Sequence, residues 1–261
     1  ASGDGTTAVT ALHTTPGADL SSLTTTSVTA AFDGNVTFTG TLGTAVVTVG
    51  NDFTMTTAAV KAAAGGNINQ AGGGNGKLAV TLNAATDAAV DLTSIGGDAL
   101  NSVTVADSLT FTGTLHGTID TTVANGVTLQ TTATKAAGKA IVEAADTNAT
   151  TVITALHDAL SANISAITTD SVTAAFTVTN DAVVNLAATL GKAVVTFTGG
   201  DGGGDDIVNI DSATLNTATF VVTGNAVLQG TAATMDGHAA SGTGTTAVTA
   251  LHTTPGANLS G

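Results

Sequence analysis

The sequence predicts an all-β protein, a repetitive parallel β-solenoid, with tandem small β-sandwich units as the alternative. Three observations carry this expectation. Thr fills 55 of 261 positions and is interleaved with Val, Ala, Ile and Phe; β-branched side chains suit a pleated, half-buried surface. Short apolar runs recur every 7–10 residues and are punctuated by Gly, Asn and Asp, the spacing of short strands joined by turns. The chain also repeats itself at fixed offsets.

In chain order, Val28-Thr29, Val36-Thr37-Phe38, Val46-Val47-Thr48 and Phe53-Thr54-Met55 read as strands. Asp33-Gly34-Asn35, Gly50-Asn51-Asp52 and Gly65-Gly66-Asn67 read as turns around them. Residues 103–105, 109–111, 119–123 and 127–129 continue the pattern. Only 6–12 and 150–160 carry a helical alternative, because Val152, Ile153, Leu156 and Leu160 share a helix face. Pro16-Gly17 limits the first of them to one or two turns.

The longest repeat joins the two ends. Residues 1–21 and 240–260 match at an offset of 239, differing only at Asp4/Thr243 and Asp19/Asn258. A shorter period lies inside it. Asp19-Leu20-Ser21-Ser22-Leu23 returns as Asp91-Leu92-Thr93-Ser94-Ile95 and as Asn163-Ile164-Ser165-Ala166-Ile167, in steps of 72. This divides the chain into 1–18 (the end of a preceding repeat), repeats at 19–90, 91–162 and 163–257, and the start of another at 258–261. The third repeat is longer, with the Gly/Asp-rich stretch 199–206 as part of the excess. A solenoid reading divides the shorter period into four coils of about 18. Scarce aromatics, seven Phe with no Trp or Tyr, suit a narrow solenoid core better than a sandwich.

Composition bounds the function. Five Lys, no Arg and nineteen acidic residues give a formal net charge of −14, which cannot build a phosphate-binding surface, so nucleic acid is excluded as a partner. No apolar run is long enough for a membrane helix, and the first residues show no signal-peptide pattern. Cys is absent, which removes disulfides and thiol chemistry. No Gly-x-Ser-x-Gly elbow is present. His13, His157 and His252 occupy equivalent repeat positions and read as structural, while His116 and His238 read as surface residues. A non-enzyme is expected.

The sharpest local motif is Gly199-Gly200-Asp201-Gly202-Gly203-Gly204-Asp205-Asp206-Ile207-Val208-Asn209-Ile210-Asp211. It resembles the glycine-aspartate nonapeptide G-G-x-G-x-D-x-U-x of RTX-type secreted proteins, with Asp205 one place later than the pattern. More broadly, the Thr/Ala/Gly/Val-rich, acidic, Cys-free and repetitive chain resembles bacterial surface-layer and type I secreted adhesin proteins. That resemblance implies calcium as a cofactor, with Asp201, Asp205, Asp206 and Asp211 as oxygen ligands. It also implies an extracellular or cell-surface setting and self-association into a layer, stalk or fibre. Two functional alternatives stand beside the structural reading: a Ca-dependent adhesin stalk, and an ice-binding solenoid using Thr-x-Thr faces such as Thr37/Thr39/Thr41 and Thr110/Thr112/Thr114.

Overall fold

A computed structural model describes residues 1–65, 67–145, 148–179, 182–200, 204–250 and 256–259. The chain is all-β: parallel strands stack as a β-solenoid of about 11 turns with only 9% helix. Within residues 1–127 and within residues 128–261 every ladder between described strands is parallel, which excludes the antiparallel sandwich units. The chain forms two compact units, Ala1–Val127 and Thr128–Gly261.

In the first unit, one ladder holds Ser2–Val9, Thr24–Phe32, Val46–Val49 and Ile68–Gln70. A second ladder holds Val36–Phe38, Thr54–Ala58, Lys77–Leu82, Leu100–Val105 and Thr121–Val123. In the second unit the larger ladder runs through Thr128–Thr132, Thr150–Thr154, Ser171–Val178, Val194–Gly199, Thr219–Thr223 and Ala240–Gly242. Its companion runs through Val183–Asn185, Asp206–Asn209, Ala226–Thr231 and Thr245–Thr249. Single bridges close further positions of the coils, Asp19↔Thr41, Asp91↔Thr114 and Asn163↔Thr189↔Thr214.

The alternating sequence becomes alternating burial. Val172, Ala174, Phe176 and Val178 point inward from one strand, and Val195 and Phe197 from the next, all buried. Their neighbours Thr173, Ala175, Thr177, Val194 and Thr196 point outward. Apolar side chains thus stack over their counterparts one coil away. In the second unit the stack is a column of rings: Phe176 lies 5.5 Å from Phe197, and Phe197 lies 5.8 Å from Phe220. His157 and His238 continue it, each 6.1 Å from the nearest Phe ring.

Coil length departs from the expected 18. The step between paired residues ranges from 17 (Thr29↔Val46) to 26 (Asn163↔Thr189). From Val28, three coils lead to the bonds between Ile68 and the 96–99 segment (Ile68 N to Gly96 O at 2.9 Å, Ala99 N to Ile68 O at 3.1 Å). Leu100, one period after Val28, lies one side further on and pairs with Leu78 in the other ladder. The shorter repeat is therefore three coils plus one side. The excess of the third repeat is a whole coil: residues 163–257 place four strands in one ladder where 19–90 place three.

The three repeats nevertheless share local geometry. Asp19 Oδ1 accepts the Ser21 N–H (2.9 Å) and hydroxyl (2.6 Å); Asp91 holds Thr93 (3.0 and 2.6 Å) and Asn163 holds Ser165 (3.1 and 2.7 Å) in the same way. Leu20 N, Leu92 N and Ile164 N donate to Thr41 O, Thr114 O and Thr189 O at 2.8, 2.9 and 2.9 Å. Glycine is demanded at one point of this geometry. A Cβ on Gly40 would stand 1.9 Å from Ala18 O and 2.7 Å from Phe38 Cζ, and one on Gly113 would meet Val90 O and Phe111 Cζ at the same distances.

The helical alternative fails at both segments. Residues 2–9 and 150–154 are strands, and only the 3₁₀ turns Leu12–Thr14 and Leu156–Asp158 follow them. The Thr/Val alternation buries one strand face, and this outweighs the helical spacing of Val152, Ile153 and Leu156. The α-helical turns lie elsewhere, at Ala59–Ala63, Ala133–Ala136 and Ala232–Met235. Each directly continues a strand and is rich in Ala, the best helix former. Thr132 and Thr231 cap the second and third by accepting from Lys135 N and Thr234 N.

Candidate metal loop and duplicated segment

The four Asp residues of the Gly/Asp-rich motif have different fates. Asp201 lies outside the described residues. Asp205 is exposed, and Asp206, which opens the strand Asp206–Asn209, is completely buried. Asp206 Oδ2 accepts the Gly200 N–H at 3.1 Å, whereas Oδ1 is buried without a partner. Asn225 ties the loop from the next coil, donating from Nδ2 to Gly204 O at 2.5 Å. Asp211 serves a different element. Its Oδ1 accepts from Thr231 N (2.6 Å) and Thr234 Oγ1 (3.1 Å), fixing the start of the helical turn Ala232–Met235. Asp205 and Asp206 thus flank the loop, while Asp211 is committed to a cap. Among the described residues no group of three or more His, Asp or Glu is arranged to hold a metal ion.

A second buried carboxylate shows what full satisfaction looks like. Asp87 Oδ1 accepts from Val60 N (2.8 Å), at the start of the turn Ala59–Ala63, and Oδ2 accepts from Asn83 N (2.8 Å) and Asn83 Nδ2 (3.2 Å). Sequence reading misses Asp87. Its signal is the Asn-x-x-x-Asp spacing of 83–87 ahead of the coil's corner. Asp206 has one such bond where Asp87 has three, and an unpartnered buried acceptor is costly.

The histidines pack rather than assemble a site. His13 Nδ1 stands 2.5 Å from Asp33 Oδ1, at ion-pair distance without hydrogen-bond alignment. At the equivalent position His157 Nδ1 accepts from Thr177 N at 3.4 Å and its Nε2 lies 3.5 Å from Asp158. His252 lies outside the described residues. His238 is half-buried, with Nδ1 3.0 Å from Ala218 O. His116 is also half-buried and accepts from Thr118 N and Ile119 N, both at 3.2 Å, closing a turn.

Outward rows on the large ladder of the second unit are mixed. One reads Gln130, Val152, Thr173, Val194, Thr219; another reads Thr177, Thr198, Thr223, where Thr223 Oγ1 donates to Thr198 Oγ1 at 3.2 Å. The second row is a continuous Thr rank, and in the first unit Thr81, Thr104 and Thr122 form another.

The duplicated segment provides the remaining feature. Its first copy contributes the strand Ser2–Val9, paired to Thr24–Phe32 with Thr6 opposite Ser27. Its second copy contributes Thr245–Thr249, paired to Ala226–Thr231 with Thr245 opposite Val227. The backbone repeats too: Ala11, Ala155 and Ala250 all sit in the left-handed region, at φ 54°, 53° and 51°. Leu20 is 7% exposed, but its counterpart Leu259 is 41% exposed. Leu259 borders a cavity of about 130 Å³ with Met235, His238, Ala240, Thr246 and Val248. Among the described residues no helix is long and apolar enough to cross a membrane. Comparison with known proteins gives no matching family model, curated protein or solved structure.

Proposed function

We propose that this chain is a non-enzymatic structural repeat protein of the cell exterior, a building element of a surface layer, stalk or fibre that works by self-association. The observation that supports it best is the stack of parallel coils built from a repeating sequence, in which residues 1–21 return almost unchanged at 240–260. The interior supports it as well: core positions hold packed apolar side chains, and the histidines serve turns and ring stacking. A Cys-free, Arg-free chain with five Lys is indifferent to redox state and offers few sites to trypsin-like proteases, which suits an exposed setting. Sedimentation velocity across a concentration series tests the reading. Growing assemblies are expected; a chain that stays monomeric at all concentrations and turns over a defined substrate overturns it.

A calcium-supported stalk is the second reading, favoured by one observation, the buried and unpartnered Oδ1 of Asp206. A hard cation at that oxygen, with Asp205 and loop carbonyls, would satisfy the orphaned acceptor. Calorimetric titration of chelator-treated protein is expected to show saturable Ca²⁺ uptake that Asp206→Asn abolishes. Equal uptake by the variant, or none by the parent, removes calcium from the function. The ice-binding alternative has weaker support, since the ranks Thr81/Thr104/Thr122 and Thr177/Thr198/Thr223 are three residues long and the row from Gln130 to Thr219 is broken by Val.

A further inference from the structure

Charge is sorted by position in this fold. Among the described residues of the second unit, Asp158, Asp170, Asp205, Asp211 and Asp236 are exposed at corners between strands. Asp206 turns inward from its strand, and Glu143 lies on the separate short strand Ile141–Glu143. The outward face of the large ladder carries none of them. Its row from Gln130 to Thr219 holds Thr, Val and one amide; the next row includes Ala175, Thr196, Val221 and Ser241. These side chains are exposed or half-buried, and Val194 is 37% exposed. A neutral sheet face thus runs across six neighbouring strands of the second unit, in a chain of formal net charge −14. Both ladders of the first unit carry a charge within a strand, Asp4 in one and Lys77 in the other. The companion ladder of the second unit has four strands and is narrower.

Such a face selects its partner by what it lacks. It offers no cation to a polyanion, no carboxylate to a basic protein and no ring to stack on a sugar. Another neutral sheet face suits it, and every copy of the chain has one. Two copies meeting there bury no carboxylate, because the acids stay at the corners in reach of water and salt.

Resting on the self-association reading, we propose that this face packs against the same face of a second copy, sheet on sheet, at a spacing of about 10 Å. The contact is isologous, so each copy gives and receives the same rows about a two-fold axis. Six strands about 4.8 Å apart, with outward rows spread over about seven residues, give on the order of 500 Å² per copy. A total of about 1,000 Å² lies at the low end for specific interfaces, so the pair is weak and concentration-dependent. Burial of Val and Thr methyl groups drives it, and the net charge of the two copies opposes it.

Sedimentation velocity of the full chain tests the proposal. Association should tighten by about threefold or more between about 0.01 M and about 0.15 M NaCl, since the Debye length falls from about 30 Å to about 8 Å and the repulsion is screened. An interface of ion pairs would loosen instead. Ala175→Glu, at an exposed position near the middle of the face, should weaken association by about tenfold or more, because it buries a carboxylate. Val194→Lys, on the adjoining row, should weaken it comparably although it lowers the net charge, and it keeps the test from resting on the folding of one variant. Thr56→Glu adds the same charge as Ala175→Glu on an outward, half-buried position of the first unit, and should leave association unchanged. Far-UV circular dichroism of each variant should match the parent's. Equal weakening by Thr56→Glu, tightening by Val194→Lys, or loosening with salt, while the parent still assembles, overturns this face and leaves self-association by another surface. A parent that stays monomeric at every concentration overturns both; if it also slows ice growth and Ala175→Glu does not, the face belongs to ice.

Discussion

Asp19 shows how a single side chain sets a corner of the coil. The Ser21 hydroxyl and then the Ser21 N–H hold its carboxyl below the ordinary value of 3.8. A depressed folded-state value means that the contribution is present above the ordinary range and is lost as pH falls through the folded value. Acid titration of stability below about pH 4 should therefore lose a component in Asp19→Asn, while the neutral-pH urea midpoint stays close to the parent's, as Asn163 serves the same turn. Ala155 makes the opposite case. A non-Gly residue at φ 53° is strained, so Ala155→Gly should raise stability by about 0.5–1 kcal/mol in urea unfolding, net of Gly's greater unfolded-state entropy. Thr131 Oγ1 is buried without a partner; Thr131→Val keeps the shape and should stabilise by about 1 kcal/mol, read as a higher urea midpoint.

At the scale of elements, much is legible in the sequence and the misses share a cause. Val36–Phe38 is legible to the residue, and the strands around Val46, Val103 and Leu109 follow from alternation alone. Coil length does not, because corners of different size (a bare turn at Gly43, a helical turn at 59–63) insert different numbers of residues between like strands. The helical turns escape because four or five residues show no periodicity, although the segments beginning Met55-Thr56-Thr57, Leu129-Gln130-Thr131 and Leu228-Gln229-Gly230 repeat along the chain. The ladder of rings through Phe176, Phe197 and Phe220 comes from register, which sequence spacing alone does not provide. Phe197→Ala, in the middle of that ladder, should cost about 3–5 kcal/mol and Phe197→Leu less than about 1.5 kcal/mol, measured by chemical unfolding followed by far-UV circular dichroism.

For the molecule as a whole, the all-β solenoid is legible from Thr/Val alternation, repeats and the dearth of aromatics. The Gly/Asp motif is legible as a feature, but not its division of labour: Asp211 goes to a helical turn of the following coil, a partner that depends on coil length. Each coil bonds only to its neighbours, so stability should be distributed by position. In each unit, amide hydrogen exchange should be slowest in inner strands such as Lys77–Leu82 and Val194–Gly199 and fastest in Ser2–Val9 and Thr245–Thr249. Uniform protection across all strands would contradict that picture.

The extra side carried by each repeat has a consequence for recognition. In the first unit the strand beginning at Thr24 and its counterpart beginning at Leu100 belong to different ladders, so the same motif looks out in a new direction at its next occurrence. A ligand reading one repeat motif cannot bind two successive copies by lying flat along one face; it must wind with the chain or be content with one. Sideways adhesion through such a motif is spread around the coil for the same reason, and a partner that reads one copy meets the next only after turning to another side.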